Sequence, residues 1–242
     1  MYRALGFDLD NTLYDQAQHV RSFFGEAGSW LHERSSIAAA VAEQSFVRAW
    51  ERRTMAYPFL FDEALRDLGL WRADWVQTLI AKYRSHRCPL QLYEGVRPLL
   101  ERLSARYPLF LITDGNGGLQ RYKVEELGLH EFFGCILYTG DYGRAWEKPA
   151  VHTFSLAALL LDLPAASCVF IGDDPDRDIE GARRAGMATV RVLSGPYRDR
   201  PCPLRPDQVL NHVSELESVL EKSSFSMRIS RRKRWTTFVS CT

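Results

Sequence analysis

Asp8 and Asp10 stand two residues apart at the end of a short apolar run, in the stretch Phe7-Asp8-Leu9-Asp10-Asn11-Thr12-Leu13. In an extended chain such side chains lie on the same side. Two carboxylates held that close repel each other unless a metal ion or a chemical task keeps them together. Considered alone, the stretch favours a solvated acid pair on an edge strand. Three further clusters weigh against that reading. Thr113-Asp114-Gly115-Asn116-Gly117-Gly118 closes a second apolar run, Lys148-Pro149 lies in the loop after a third, and Gly172-Asp173-Asp174-Pro175-Asp176-Arg177-Asp178 closes a fourth. Chance placement of polar clusters after each run is improbable, and convergence on one crevice is the economical explanation.

The elements that must carry these groups are legible from hydropathy. Arg3 to Phe7, Pro108 to Ile112, Cys135 to Tyr138, Cys168 to Ile171 and Thr189 to Leu193 are short apolar strands. Helical patterns separate them: Glu94 to Arg106, with Val96, Leu99, Leu100 and Leu103 on one stripe, then a helix ending at Gly128, then Pro149 to Asp162, Asp176 to Ala185, and Val213 to Lys222. Alternating apolar strands and helices predict an α/β fold, a doubly wound parallel sheet covered on both faces. In such sheets ligands bind beyond the carboxyl ends of the strands, where the polar clusters fall. From about Gln16 to His86 the chain reads as helical throughout, too long for a loop, and is expected to be an inserted α-helical subdomain. The expected division is residues 1–14 and 94–222 for the core, 15–93 for the insertion and 223–242 for a tail.

Composition sets limits on the function. The 242 residues are 46% apolar and 25% charged, with no apolar stretch of membrane-spanning length. Five scattered cysteines without a CxxC argue for reduced thiols and a cytoplasmic setting, and against a zinc site. The chain enters its first strand at once, so no cleaved leader is expected. The tail holds five basic residues and no acids, leaving residues 1–222 with 26 basic against 30 acidic groups. That mildly acidic body makes nucleic acid an unexpected partner. The run Arg231-Arg232-Lys233-Arg234 is expected to belong to a disordered, solvated extension.

The four polar segments resemble the four motifs of the haloacid dehalogenase superfamily, with a helical cap inserted after the first. The resemblance spans nearly all of residues 3–220. It rests on DLDNTL together with GDDPDRD, on Thr113-Asp114-Gly115-Asn116 followed by Gln120 and Lys123, and on Lys148-Pro149 leading to Phe154. It implies a Rossmann-like core and a phosphatase of small phosphomonoesters, of nucleoside monophosphate or sugar phosphate type. By the same resemblance Asp8 is the nucleophile that forms an aspartyl-phosphate, and Asp10 protonates the leaving group and then activates water. Mg2+ would be held by Asp8, the backbone carbonyl of Asp10, and Asp173. Thr113, Asp114 and the amides around Gly115 would meet the phosphate, Lys148 would pair with phosphate and Asp8, and Asp178 would support Lys148 or a metal-bound water. The dehalogenases lack an acid at the second position, because breaking a carbon–halogen bond needs no leaving-group proton; Asp10 therefore favours phosphoryl chemistry. A phosphomutase or dehalogenase of the same superfamily, and a non-catalytic binding or regulatory protein that retains the fold, remain alternatives, and a monomer or homodimer is expected.

Plainer roles compete for several residues. Capping before Pro175 accounts for Asp174 better than catalysis does, and Asp178 could be a first-turn carboxylate. Asp114 reads as a turn-former, and Gln120 and Lys123 as helix-surface residues. Aromatic residues of the insertion read as its core. Arg21, His32, Arg52, Arg53 and Arg84 could meet an acidic substrate group, although a solvated helix face accounts for each.

Overall fold

The computed structural model describes residues 2–220, so the basic tail expected over 223–242 lies outside the described residues. The described residues form two compact units, one of residues 2–15 with 91–220, the other Gln16–Leu90.

In the first unit, β1 (Ala4–Phe7) is fully buried. The second unit follows in sequence as four helices: α1 (Ala17–His32), α2 (Ala39–Arg53), α3 (Leu60–Asp67) and α4 (Ala73–Ser85). Four of its phenylalanines lie in its core, other aromatic residues pack against them half-buried, and Phe59 and Trp71 are exposed. Phe23, Phe24, Phe46 and Phe61 are buried among Leu31, Leu65 and Leu79, with Phe24 stacked on Phe46 at 5.6 Å between centroids. On its surface Arg52 pairs with Glu63 and Asp67, Arg53 with Glu63, and Arg21 with Glu51.

The first unit resumes with α5 (Val96–Ser104), whose stripe of Val96, Leu99, Leu100 and Leu103 is fully buried. Then come β2 (Leu109–Thr113), α6 (Gly117–Glu126), β3 (Cys135–Tyr138), α7 (Val151–Leu160), β4 (Cys168–Gly172), α8 (Glu180–Arg184), β5 (Ala188–Val192), β6 (Gln208–Leu210) and α9 (Leu216–Leu220). Gly128 ends α6 with φ 63°, the left-handed residue such a terminus favours. A single wide helical turn, Pro175–Ile179, precedes α8. Among the described residues no helix is long and apolar enough to cross a membrane.

All strand pairings are parallel, in the order β3-β2-β1-β4-β5-β6, and helices lie on both sides of the sheet. β6 was not legible in sequence. It is three residues long, and as an edge strand it buries Leu210 alone, too little for a period-two signal. The chain reverses its direction of winding between β1 and β4, and open sheets of this type bind ligands at that switch point. Register aligns the strand ends there: Phe7 lies beside Leu111 and Ile171, and the Asp8 amide extends the ladder to the Ile171 carbonyl at 2.9 Å.

One face of the sheet packs Phe110, Phe154 and Phe170 with Ala4 and Ala182. Gly6 is required there, because a Cβ at this position would lie 2.2 Å from the Phe110 ring. Gly6→Ala is expected to destabilise the protein by about 1–3 kcal/mol, the usual cost of overpacking a rigid core. A urea unfolding curve checks it; an unchanged midpoint would mean that Phe110 moves aside freely.

Candidate active site

Asp8 follows β1 directly, and the chain then turns tightly, with the Leu13 amide donating to the Leu9 carbonyl at 3.0 Å. Residues four apart face each other across such a turn. Accordingly the Thr12 hydroxyl donates to Asp8 Oδ2 at 3.1 Å and the Tyr14 hydroxyl to Asp10 Oδ1 at 2.5 Å. Neither partner was singled out from sequence, although the i, i+4 spacing was there to be read.

Lys148 reaches this point from the loop after β3. Its Nζ lies 2.5 Å from Asp8 Oδ1 and 2.6 Å from Asp178 Oδ1, with all three side chains buried. The other oxygen of Asp178 accepts the Asp174 amide at 3.0 Å. Asp174 caps the turn as expected, accepting the amides of Asp176 and Arg177. Asp8, Asp173 and Asp178 each bring a carboxylate oxygen within 4.8 Å of the others. Asp173 Oδ2 is buried and has no hydrogen-bond partner in the structure. A buried orphan acceptor beside two further acids fits a hard divalent cation. Asp178 already has a donor at each oxygen, which suits it to supporting Lys148.

The electrostatics follow from burial and charge. Burial pushes the Asp8 carboxyl up to about 7, with Lys148 opposing and Asp178 adding to the rise. Burial, then Asp8 and Asp178, hold Asp173 well above the usual carboxylate range. Lys148 loses solvation, yet Asp178 and Asp8 keep its ammonium charged well above the ordinary lysine range. Asp10 shows the opposite result. Burial favours its neutral form, but the Lys123 charge and hydrogen bonds from Lys123, Tyr14 and Gln120 hold it below its ordinary value.

Three residues from the glycine-rich segment were expected to bind substrate, and their settings differ. Thr113 ends β2 and is buried, its Oγ1 accepting from Gln120 Nε2 at 2.5 Å. Gly115 has φ 104°, open to glycine alone among ordinary residues, so the turn presents its backbone without a side chain. The Asp114 carboxylate ties the neighbouring loops together: Oδ1 accepts the Thr139 hydroxyl at 2.7 Å and the Lys148 amide at 3.1 Å, and Oδ2 forms an ion pair with Arg177 at 2.8 Å. Its role as a simple turn-former is thereby enlarged. Gln120 and Lys123 depart furthest from the sequence reading, being 2% and 1% exposed and turned inward to Asp10.

The chain belongs to the haloacid dehalogenase-like hydrolase family, whose model matches residues 2–186. It is 31% identical to the glyceraldehyde 3-phosphate phosphatase of Methanopyrus kandleri over 82% of this chain and 87% of that one. It is 28% identical to the enzyme of the same name from Methanocaldococcus jannaschii, over 91% and 98%. The human N-acylneuraminate-9-phosphatase is 26% identical over 94% and 97%. Among solved structures, the 2-haloacid dehalogenase of Pseudomonas syringae superposes with a TM-score of 0.62 at 27% identity, covering 91% of this chain and 98% of that one. Family and relatives together make this chain an enzyme, a phosphoric monoester hydrolase.

Proposed function

We propose that the protein is a magnesium-dependent phosphatase of small phosphomonoesters, working through an aspartyl-phosphate on Asp8. The observation that carries the reading is the buried group at the β1/β4 switch point: Lys148 bridging Asp8 and Asp178, beside the partnerless oxygen of Asp173. Asp8, Asp173 and the backbone carbonyl of Asp10 would hold Mg2+, which supplies neutralising charge for the phosphoryl oxygens.

Lys148 and Thr12 fix the two oxygens of Asp8, so the nucleophile is oriented before substrate arrives. One oxygen attacks phosphorus and the bond to the leaving oxygen breaks; Asp10, whose carboxyl is held below its ordinary value in the free protein, takes a proton from the entering phosphate monoanion and passes it to that oxygen, which becomes a hydroxyl. Asp10 then takes a proton from water. The resulting hydroxide attacks phosphorus, the bond to Asp8 breaks, and inorganic phosphate leaves with Asp8 restored. Throughout, Thr113, the amides around Gly115 and the Lys148 ammonium bind phosphoryl oxygens, and Asp178 holds Lys148 in place. The helical unit is read as the family's inserted cap.

Of the two expected substrate types, sugar phosphates are the better supported, since the relatives are named for glyceraldehyde 3-phosphate and N-acylneuraminate 9-phosphate. We read the enzyme as a cytoplasmic monomer or homodimer whose partner is a small phosphorylated metabolite. A dehalogenase is the second reading, favoured by the likeness to the Pseudomonas syringae enzyme and opposed by Asp10. Phosphate release from a panel of sugar phosphates and nucleoside monophosphates, with and without magnesium, tests the proposal, alongside halide release from 2-chloropropionate. Magnesium-dependent phosphate release is expected. Halide release alone, or no turnover of the panel or of p-nitrophenyl phosphate, would overturn it.

A further inference from the structure

Asp10 is gripped from three sides by groups that the reaction as written does not use. Lys123 Nζ lies 2.7 Å from Oδ1, and the Tyr14 hydroxyl reaches the same oxygen at 2.5 Å. Gln120 Nε2 lies 2.9 Å from Oδ2 and also 2.5 Å from Thr113 Oγ1. Gln120 and Lys123 are three residues apart on α6, hence on one face of that helix. The helix is fixed at its start by Asn116, whose side chain accepts the Leu119 amide at 3.0 Å. Donors at both oxygens leave the carboxylate little freedom to rotate.

Stability alone does not account for this arrangement. The Lys123 side chain is 2% exposed, and taking an ammonium out of water is so costly that an apolar residue of similar volume often serves a fold as well or better. A buried cation aimed at one carboxylate fixes where that carboxylate points. Gln120 adds a second constraint, because one amide nitrogen joins Asp10 to the Thr113 hydroxyl.

We propose that Lys123 and Gln120 are positioning residues that hold the Asp10 carboxyl in register with the phosphate pocket at Thr113, so that its proton meets the departing oxygen. The inference rests on the reading of Asp10 as proton donor. No new bond-making step is added; the two residues set the geometry of one already described.

The leaving group provides the test. p-Nitrophenolate departs with little need of a proton, whereas phenolate needs one. We therefore compare kcat/KM, which reports formation of the aspartyl-phosphate, for p-nitrophenyl phosphate and phenyl phosphate. Lys123→Met is expected to lose at least about tenfold more on phenyl phosphate than on p-nitrophenyl phosphate, a share of the 10²–10⁴ that a positioned acid contributes. Lys123→Arg retains the cation and is expected to recover most of the difference. Gln120→Met leaves the ion pair intact and is expected to show the same selectivity to a smaller degree; it decides the matter should Lys123→Met not fold. Equal losses on both esters in folded variants would overturn the inference. Asp10→Asn is the reference: if it shows no leaving-group selectivity, the role of Asp10 itself fails, whereas selectivity there without selectivity in the Lys123 and Gln120 variants defeats this inference alone.

Discussion

With asparagine in place of Asp8, turnover of phosphate esters is expected to fall on the order of 10⁴-fold or more, the scale seen when an enzyme loses its nucleophile. An amide is nearly the same size as a carboxylate, so the strand end and the Thr12 contact persist. It lacks the charge and the nucleophilic oxygen pair that the first step needs. The fold should tolerate the change. Asp8 is one of three buried acids crowded together, two of which share Lys148, and removing one charge relieves repulsion while Asp178 still pairs with Lys148. Thermal unfolding should therefore show a midpoint equal to or above that of the parent chain. Rapid acid quenching of the parent enzyme should trap a phosphoryl adduct on the peptide containing Asp8, and the variant should trap none. Residual turnover near the parent rate, or an adduct on another residue, would reject Asp8 as the attacking group.

Chelation of divalent cations is expected to abolish turnover and to lower thermal stability, with a pH dependence whose sign follows from burial. Asp8 and Asp173 have carboxyls raised above their unfolded values, Asp8 to about 7. A group raised in the folded state contributes its stability at low pH and loses it as pH climbs through the folded value. The cation-free protein should thus become less stable between pH 6 and pH 8, as the crowded acids are forced to ionise. A cation binds those same ionised acids, so its benefit should grow over that interval. At a magnesium concentration a hundred times the dissociation constant, stabilisation is about 2.7 kcal/mol, or roughly 5–10 °C for a chain of this size. Melting curves with magnesium and with chelator, at pH 6 and pH 8, test this. A gap that is absent, or that narrows as pH rises, would contradict a cation held by these carboxylates.

Much of the core was legible because its signals are local. β1, β2 and β4 are buried at every position and read as unbroken apolar runs, and α5 showed its stripe at helical spacing. Asp174 before Pro175 announced a helix start through short-range capping chemistry, which the structure realises. The region Asp176 to Ala185 was less well drawn. The segment opens with a wide turn before α8, and hydropathy does not distinguish the width of a helical turn. β6 escaped notice for want of length.

Lys123 shows where local reasoning ends. A lysine three residues after a glutamine on a helix looks like solvated surface, and the identity of the opposing acid, more than a hundred residues earlier, is invisible to any window of sequence. The Asp114 carboxylate poses the same problem, since its partners Thr139, Lys148 and Arg177 come from two other loops.

The order of residues along this chain by itself determined the alternating α/β plan and the positions of the reactive groups, because strand burial and side-chain type are properties of neighbouring residues. Tertiary structure alone decided which charges face which: Lys148 between Asp8 and Asp178, Lys123 against Asp10, and Asp173 with one oxygen unpartnered. Such pairings arise only when parallel strands bring distant segments to one edge of a sheet and burial removes the water that would otherwise screen them.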